Sequence, residues 1–240
     1  MTLASSQFRV VTVQAIAFVA SAPAGVQAVQ LALLSALRDD LEPESVELRT
    51  LAQLPTGIPF LSARSRDGAI AYDVSMSTIS ARWRADATAA TLSLEEAMET
   101  CAAGVVRCAE AMGVTVGRVA AVVQRVVERD HPGIELSRIF CKQEWLDGTL
   151  NRPEGFELHA HKQFEFGDGF RVNSWMRIRT GGLQAEDGSQ KSIVHVEQDQ
   201  NTLAERLEAD TYDGARMLQF FAHVVSELDG VVALYFPEPV

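Results

Sequence analysis

The stretch "FELHAHKQFEFGDGFRVNSWMRIR", residues 156–179, constrains the fold more than any other, because its residues alternate between two chemistries. Phe156, Leu158, Ala160, Lys162, Phe164 and Phe166 fall on even positions, and Glu157, His159, His161, Gln163 and Glu165 on odd ones. Successive side chains of a strand point to opposite faces, so this pattern predicts a strand with one buried side. Gly167-Asp168-Gly169 supplies a three-residue hairpin loop with glycine at hand for the left-handed position. A loop of that length pairs Phe166 with Phe170. Behind it, Glu165 faces Arg171, Gln163 faces Asn173, His161 faces Trp175, His159 faces Arg177 and Glu157 faces Arg179. Each complementary pair is worth only about 0.2–1 kcal/mol. Their agreement is what specifies the register, since a one-residue slip would invert the buried face.

The next strand, "SIVHVEQDQ", places Val194 and Val196 on one side and His195, Glu197 and Asp199 on the other. His159, His161 and His195 thus reach one polar face with two carboxylates, a donor set suited to zinc or non-haem iron. The middle strand, however, carries Arg171, Arg177 and Arg179 on that same face, between strands about 9–10 Å apart. A guanidinium there competes with a cation for the carboxylates. The expected metal site is therefore none, with His159, His161 and His195 as the alternative ligand set. The leading reading is a mixed-charge, partner-facing surface centred on Trp175.

Elsewhere the periodicities change with the element. "FRVVTVQAIAFV" (8–19) reads as a central strand buried on both faces rather than as a leader segment. Pro23 and Gly25 introduce a helix with an apolar stripe at Val26, Val29, Leu33, Leu37 and Leu41. Residues 45–54 read as a strand, 54–68 as a linker, and 69–83 as one or two strands. Trp83, between Arg82 and Arg84, reads as a strand residue packed on a neighbour. "TLSLEEAMETCAAGVVRCAEAMG" is a helix with a Ser93/Glu96 capping box and Gly113 as its terminator. Cys101 and Cys108 fall on its core stripe with Met98, Val105 and Met112. Residues 118–130 and 133–146 read as strands around a His131-Pro132-Gly133 turn, 210–228 as a closing helix, and "VVALYF" as a last strand. No internal repeat is legible. Strand runs broken by long helices predict an α+β fold, a mostly antiparallel sheet with helices packed on one face. It would be a single domain over 1–240, with sub-lobes 1–90 and 91–240 sharing a core.

The formal net charge of −11 opposes phosphate backbones and anionic lipid, so neither nucleic acid nor membrane is an expected partner. Three cysteines without CxxC spacing fit a reducing cytoplasm better than a disulfide framework. No phosphate-binding glycine loop, nucleophile elbow or HExxH is present. Between Glu197 and Asp213, six acids face one base, Arg206, and so carry −5 of the charge. That composition suits docking of a basic protein surface.

"SLEEAMETCAAGVVRCAEAMGVTVGRVAAVVQRVVE", "IVHVEQDQNT" and "ARMLQFFAHVVSELDGVVALYF" resemble in order a sporadically distributed family of uncharacterised bacterial α+β proteins of this length. The resemblance implies a cytoplasmic bacterial protein and no activity. The expectation is a non-catalytic interaction module of adaptor, immunity or defence-associated type, without a cofactor and compatible with homo-oligomers. Its partner contacts would be Trp175, Arg177, Glu197, Asp199, Glu205 and Glu208. The alternative is an enzyme or small-molecule binder with a pocket between sheet and helices, collecting Glu144, Arg177, His159 and Asp199.

Overall fold

The computed structural model describes residues 3–21, 26–49, 55–85, 92–148, 151–167, 169–184 and 188–239. Nine strands form one antiparallel sheet: β1 (Arg9–Val19), β2 (Glu47–Leu48), β3 (Leu61–Arg64), β4 (Ile70–Val74), β5 (Thr78–Arg84), β6 (Val116–Glu128), β7 (Glu157–Phe166), β8 (Phe170–Gln184) and β9 (Gln190–Thr202). Their order is β2-β3-β4-β5-β1-β6-β9-β8-β7. The helices are α1 (Val26–Ala36), α2 (Leu94–Met112), α3 (Pro132–Phe140), α4 (Gln143–Leu146) and α5 (Gly214–Tyr235). This is the α+β architecture expected from the sequence, with α2 against β1 and β5 and α5 against β6.

The strand order exposes a duplication that the sequence hides. In each half a strand leads to helix, then to a meander, β2 to β5 in the first and β7 to β9 in the second, whose last strand returns beside the first, then to a long helix. The halves meet where β1 pairs antiparallel with β6, Ala15 opposite Ala121, and α2 packs on α5. The repeated connectivity divides between Met112 and Val116.

The hairpin register holds at all ten pairs, from Glu157 opposite Arg179 to Phe166 opposite Phe170. Gly167 and Gly169 both adopt positive φ, 35° and 79°, at the turn, while Asp168 lies outside the described residues. In α2, Ser93 Oγ accepts from the Glu96 amide at 3.1 Å and Glu96 Oε2 accepts from the Ser93 amide at 2.8 Å. Gly113 terminates that helix at φ 62°. Val29, Leu33, Leu37 and Leu41 are buried, whereas Pro23, Gly25 and the Val26 side chain lie outside the described residues.

Several sequence expectations need correction. Residues 133–146 form α3 and α4, not a strand. Pro132 at the first helical position is pre-organised for a helix, and burial of Pro132, Gly133, Leu136 and Ser137 follows its period. "VVALYF" is no strand either. Val232 and Phe236 extend the buried stripe of α5 past Leu228, and the helix runs on to Tyr235. Within 54–68, the supposed linker, alternating Leu61 and Ala63 build β3. Of the strand expected over 45–54 only Glu47–Leu48 forms, and 50–54 lie outside the described residues. β1 is central but buried on one face alone: Val13, Ala15, Ala17 and Val19 meet the helices, and Gln14, Ile16 and Phe18 are half-buried opposite.

By length and composition α5 could cross a membrane. It buries Met217, Phe220, Phe221, Val224, Leu228 and Val232 in the protein instead. Cys101 and Cys108 lie in the core, and burial pushes both thiols up to about 12. Thiolate is the reacting species, so at pH 8 neither should label with a disulfide reagent until unfolding exposes it. Half-exposed Cys141 should label first; mass spectrometry of partly labelled native protein would show the order.

Candidate functional site

The helices cover one face of the sheet, and the other has no layer upon it among the described residues. Alternation decides what stands there. The register runs Arg82, Gln14, Val122, Asp199, Trp175 and His161 in one cross-strand row from β5 to β7. A parallel row runs Arg84, Thr12, Gln124, Glu197, Arg177 and His159. Trp175 is half-buried, with the His161 ring stacked on it at 4.1 Å between centroids and the Arg177 guanidinium 5.4 Å from its centre. The result is a tryptophan held upright between a flat ring and a cation.

The carboxylates beside it are engaged within the chain. Arg177 Nη1 donates to Glu197 Oε1 at 2.5 Å, and Gln124 Nε2 donates to Glu197 Oε2 at 3.0 Å. Burial alone would raise Glu197, but the Arg177 and Gln124 hydrogen bonds outweigh it and hold the carboxyl below its usual value. Asp199 accepts from Asn201 Nδ2 at 2.8 Å and stands 4.0 Å from Arg177. Arg118 donates to Asn201 Oδ1 at 2.7 Å and lies over the Phe18 ring. Such a mosaic offers aromatic and hydrogen-bonding surface rather than a base poised beside a nucleophile.

The histidines follow the same logic. His159 Nε2 lies 2.7 Å from Glu157 Oε1, and His161 Nε2 lies 3.3 Å from Asn173 Oδ1. His195, two strands away, receives a 3.3 Å hydrogen bond from Arg179 Nε at Nδ1. Burial first, then the Arg179 charge, lowers its pKa. Arg177 and Arg179 of β8 stand between the His159–His161 pair and His195, and among the described residues no group of three metal-ligating side chains assembles.

The acidic 197–213 segment divides. Arg206 takes Asp210 by two short contacts, 2.8 and 2.6 Å, and Asp213 caps α5 by accepting from the Arg216 amide. Glu205 and Glu208 are exposed beyond the end of β9, and among the described residues no ion pair engages them. Arg177, His159 and Asp199 share the uncovered face and Glu144 lies on α4, so they do not gather between sheet and helices.

Sequence reasoning missed a depression of about 350 Å³ on the same uncovered face, at the other end of the sheet, lined by Arg64, Arg82 and Arg84. The signal was present in "ARWR": Trp83 is 2% exposed in the core, so its two arginine neighbours must face the other way. No protein-family model and no curated protein matches the chain.

Proposed function

We propose that this chain is a non-catalytic recognition module that holds a protein partner with a basic surface against the uncovered sheet face around Trp175. The observation that carries the reading is the Trp175 platform, stacked on one side by His161 and flanked by Arg177. Tryptophans in such settings are typical binding hot spots. Glu205 and Glu208, the two acids of their segment left unpaired, supply charge complementarity at the rim, and the net charge of −11 would steer a basic surface towards them. The reading extends to a cytoplasmic bacterial adaptor, immunity or defence-associated factor that needs no cofactor. The resemblance to the sporadically distributed bacterial family bears only on the cytoplasmic, bacterial part of that extension.

The test begins with immobilised wild-type protein in a lysate of its own host, with retained proteins identified by mass spectrometry. Each candidate is then purified and titrated against wild type, Trp175→Ala and the Glu205→Gln, Glu208→Gln pair. Loss of the indole should weaken a true partner on the order of 30-fold. The acid substitutions should act mainly on association rate and on its salt dependence. A partner that binds Trp175→Ala as tightly as wild type would contradict the reading.

A further inference from the structure

The arginine-lined depression is separated from Trp175 by β1, β6 and β9, about four strand spacings or 19 Å, so it stands independently of the proposed partner face. Its shape follows from register. Arg64 of β3 pairs with Ala71 of β4, and Ala71 pairs with Arg82 of β5. Two guanidinium side chains therefore rise about 9–10 Å apart on either side of a single methyl group, with Arg84 about 7 Å further along β5. A long side chain at position 71 would fill the gap. Alanine leaves it open, and Ser62 and Ser45 add hydroxyls to the wall.

Charge in this hollow is only partly answered by the protein. Its two acids are Glu47 and Asp73. Glu47 is turned to Arg49 at 2.9 Å, and Asp73 accepts from Ser62 Oγ at 2.7 Å and sits 3.4 Å from Arg82 Nη2. Arg82 Nε is buried and has no acceptor. Arg64 and Arg84 are exposed, and among the described residues no ion pair engages either of them. On a chain of net charge −11, this is a local reversal of sign built on the sheet's strands rather than on a loop.

We propose that the depression binds a small anionic ligand through an oxyanion group, phosphate or carboxylate, held by Arg64, Arg82 and Arg84. Arginine matches both groups with paired N–H donors. A volume of about 350 Å³ lies at the lower end of the range for small-molecule sites, roughly 300–1,000 Å³, and suits a compact metabolite better than a polymer. Arg82 lines the floor of the hollow beside Asp73, and the two exposed arginines meet the anion from the rim.

Isothermal titration of the full chain at low ionic strength with inorganic pyrophosphate and, separately, with citrate tests this. At least one anion should bind saturably to wild type, and Arg64→Gln and Arg84→Gln should each weaken it about tenfold or more. Arg38→Gln, which removes the same charge from an exposed site on the helical side, should leave it unchanged. Both rim arginines are exposed, so folding of the variants is checked by circular dichroism and thermal melting. Pyrophosphate binding alone would assign a phosphate ligand, and citrate binding alone a carboxylate. Saturable binding of neither anion, or equal loss in Arg38→Gln, would overturn the site.

Discussion

Gly117→Ala is expected to lower the melting temperature by about 10 °C, a loss on the order of 3 kcal/mol for a chain of this size. β6 begins here against the connection that follows β9, and a Cβ on Gly117 would collide with the carbonyl oxygen of Leu207 and crowd the Ala20 methyl at 3.0 Å. The obstacle is backbone, so no rotamer change relieves it. The connection is also tied down: the Tyr212 amide donates to Val116 O at 2.9 Å, and Arg118 Nε donates to Thr202 O at 3.0 Å. Moving the loop would break one or both. Gly230→Ala is the matched control, since a Cβ there meets nothing within 4 Å in the middle of α5. Alanine should stabilise that helix by about 0.5–1 kcal/mol. Thermal melts of the two variants should move in opposite directions. A Gly117→Ala variant melting with wild type would mean that residue 207 does not rest on β6.

Arg125→Ala should cost about 3 kcal/mol, and Arg125→Met should cost less by the cavity that it does not open. Arg125 is 6% exposed on the helix side of β6, where its Nε donates to Gln198 Oε1 at 3.1 Å and its Nη2 to Asp229 Oδ1 at 2.6 Å. Gln198 in turn donates to Leu228 O at 2.8 Å. These residues form a polar seam between two apolar clusters. Val119, Val123, Phe170 and Val172 belong to one, and Val127, Met176, Ile178 and Val196 to the other. Truncation to alanine opens a cavity and orphans a buried amide oxygen, and the two losses add. Methionine keeps the volume, and Asp229, 70% exposed, is solvated without its partner. Methionine leaves the Gln198 oxygen without its donor as alanine does, so the difference between the two variants reports the cavity. Urea unfolding of both variants distinguishes the contributions. Equal losses would show that charge, not volume, holds the seam.

The hairpin was readable because three local constraints coincided: strict alternation, a loop of fixed length, and complementary pairs from Glu165–Arg171 to Glu157–Arg179. α2 was readable because its capping box and terminal glycine are local chemistry. The seam was not. Gln198 and Gln200 sit where alternation calls for apolar residues, and only the arrival of Arg125 and α5 from distant sequence explains Gln198, while the Gln200 amide stays buried without a partner. The duplication escaped for a related reason. The two halves share connectivity, but core positions demand only apolar volume, so the residues that fill them need not repeat. α3 is hard to tell from a strand because short apolar runs carry little period, and Pro132 before them suits a turn as well as a helix start. The Trp175 platform was legible through register alone, whereas the arginine depression needed the β3–β4–β5 pairing, which sequence does not supply.

The uncovered sheet face is the premise of both proposed surfaces, and the three tryptophans test it directly. Brief oxidation of the native protein by N-bromosuccinimide, with sites quantified by peptide mass spectrometry, should modify exposed Trp145 first, half-buried Trp175 next, and Trp83, 2% exposed beneath the helices, only on unfolding. His161→Ala, which removes the ring stacked on Trp175, should speed oxidation of Trp175 and leave the other two unchanged. A Trp175 as protected as Trp83 in the monomeric protein would mean that something in the chain covers this face, and would contradict the account.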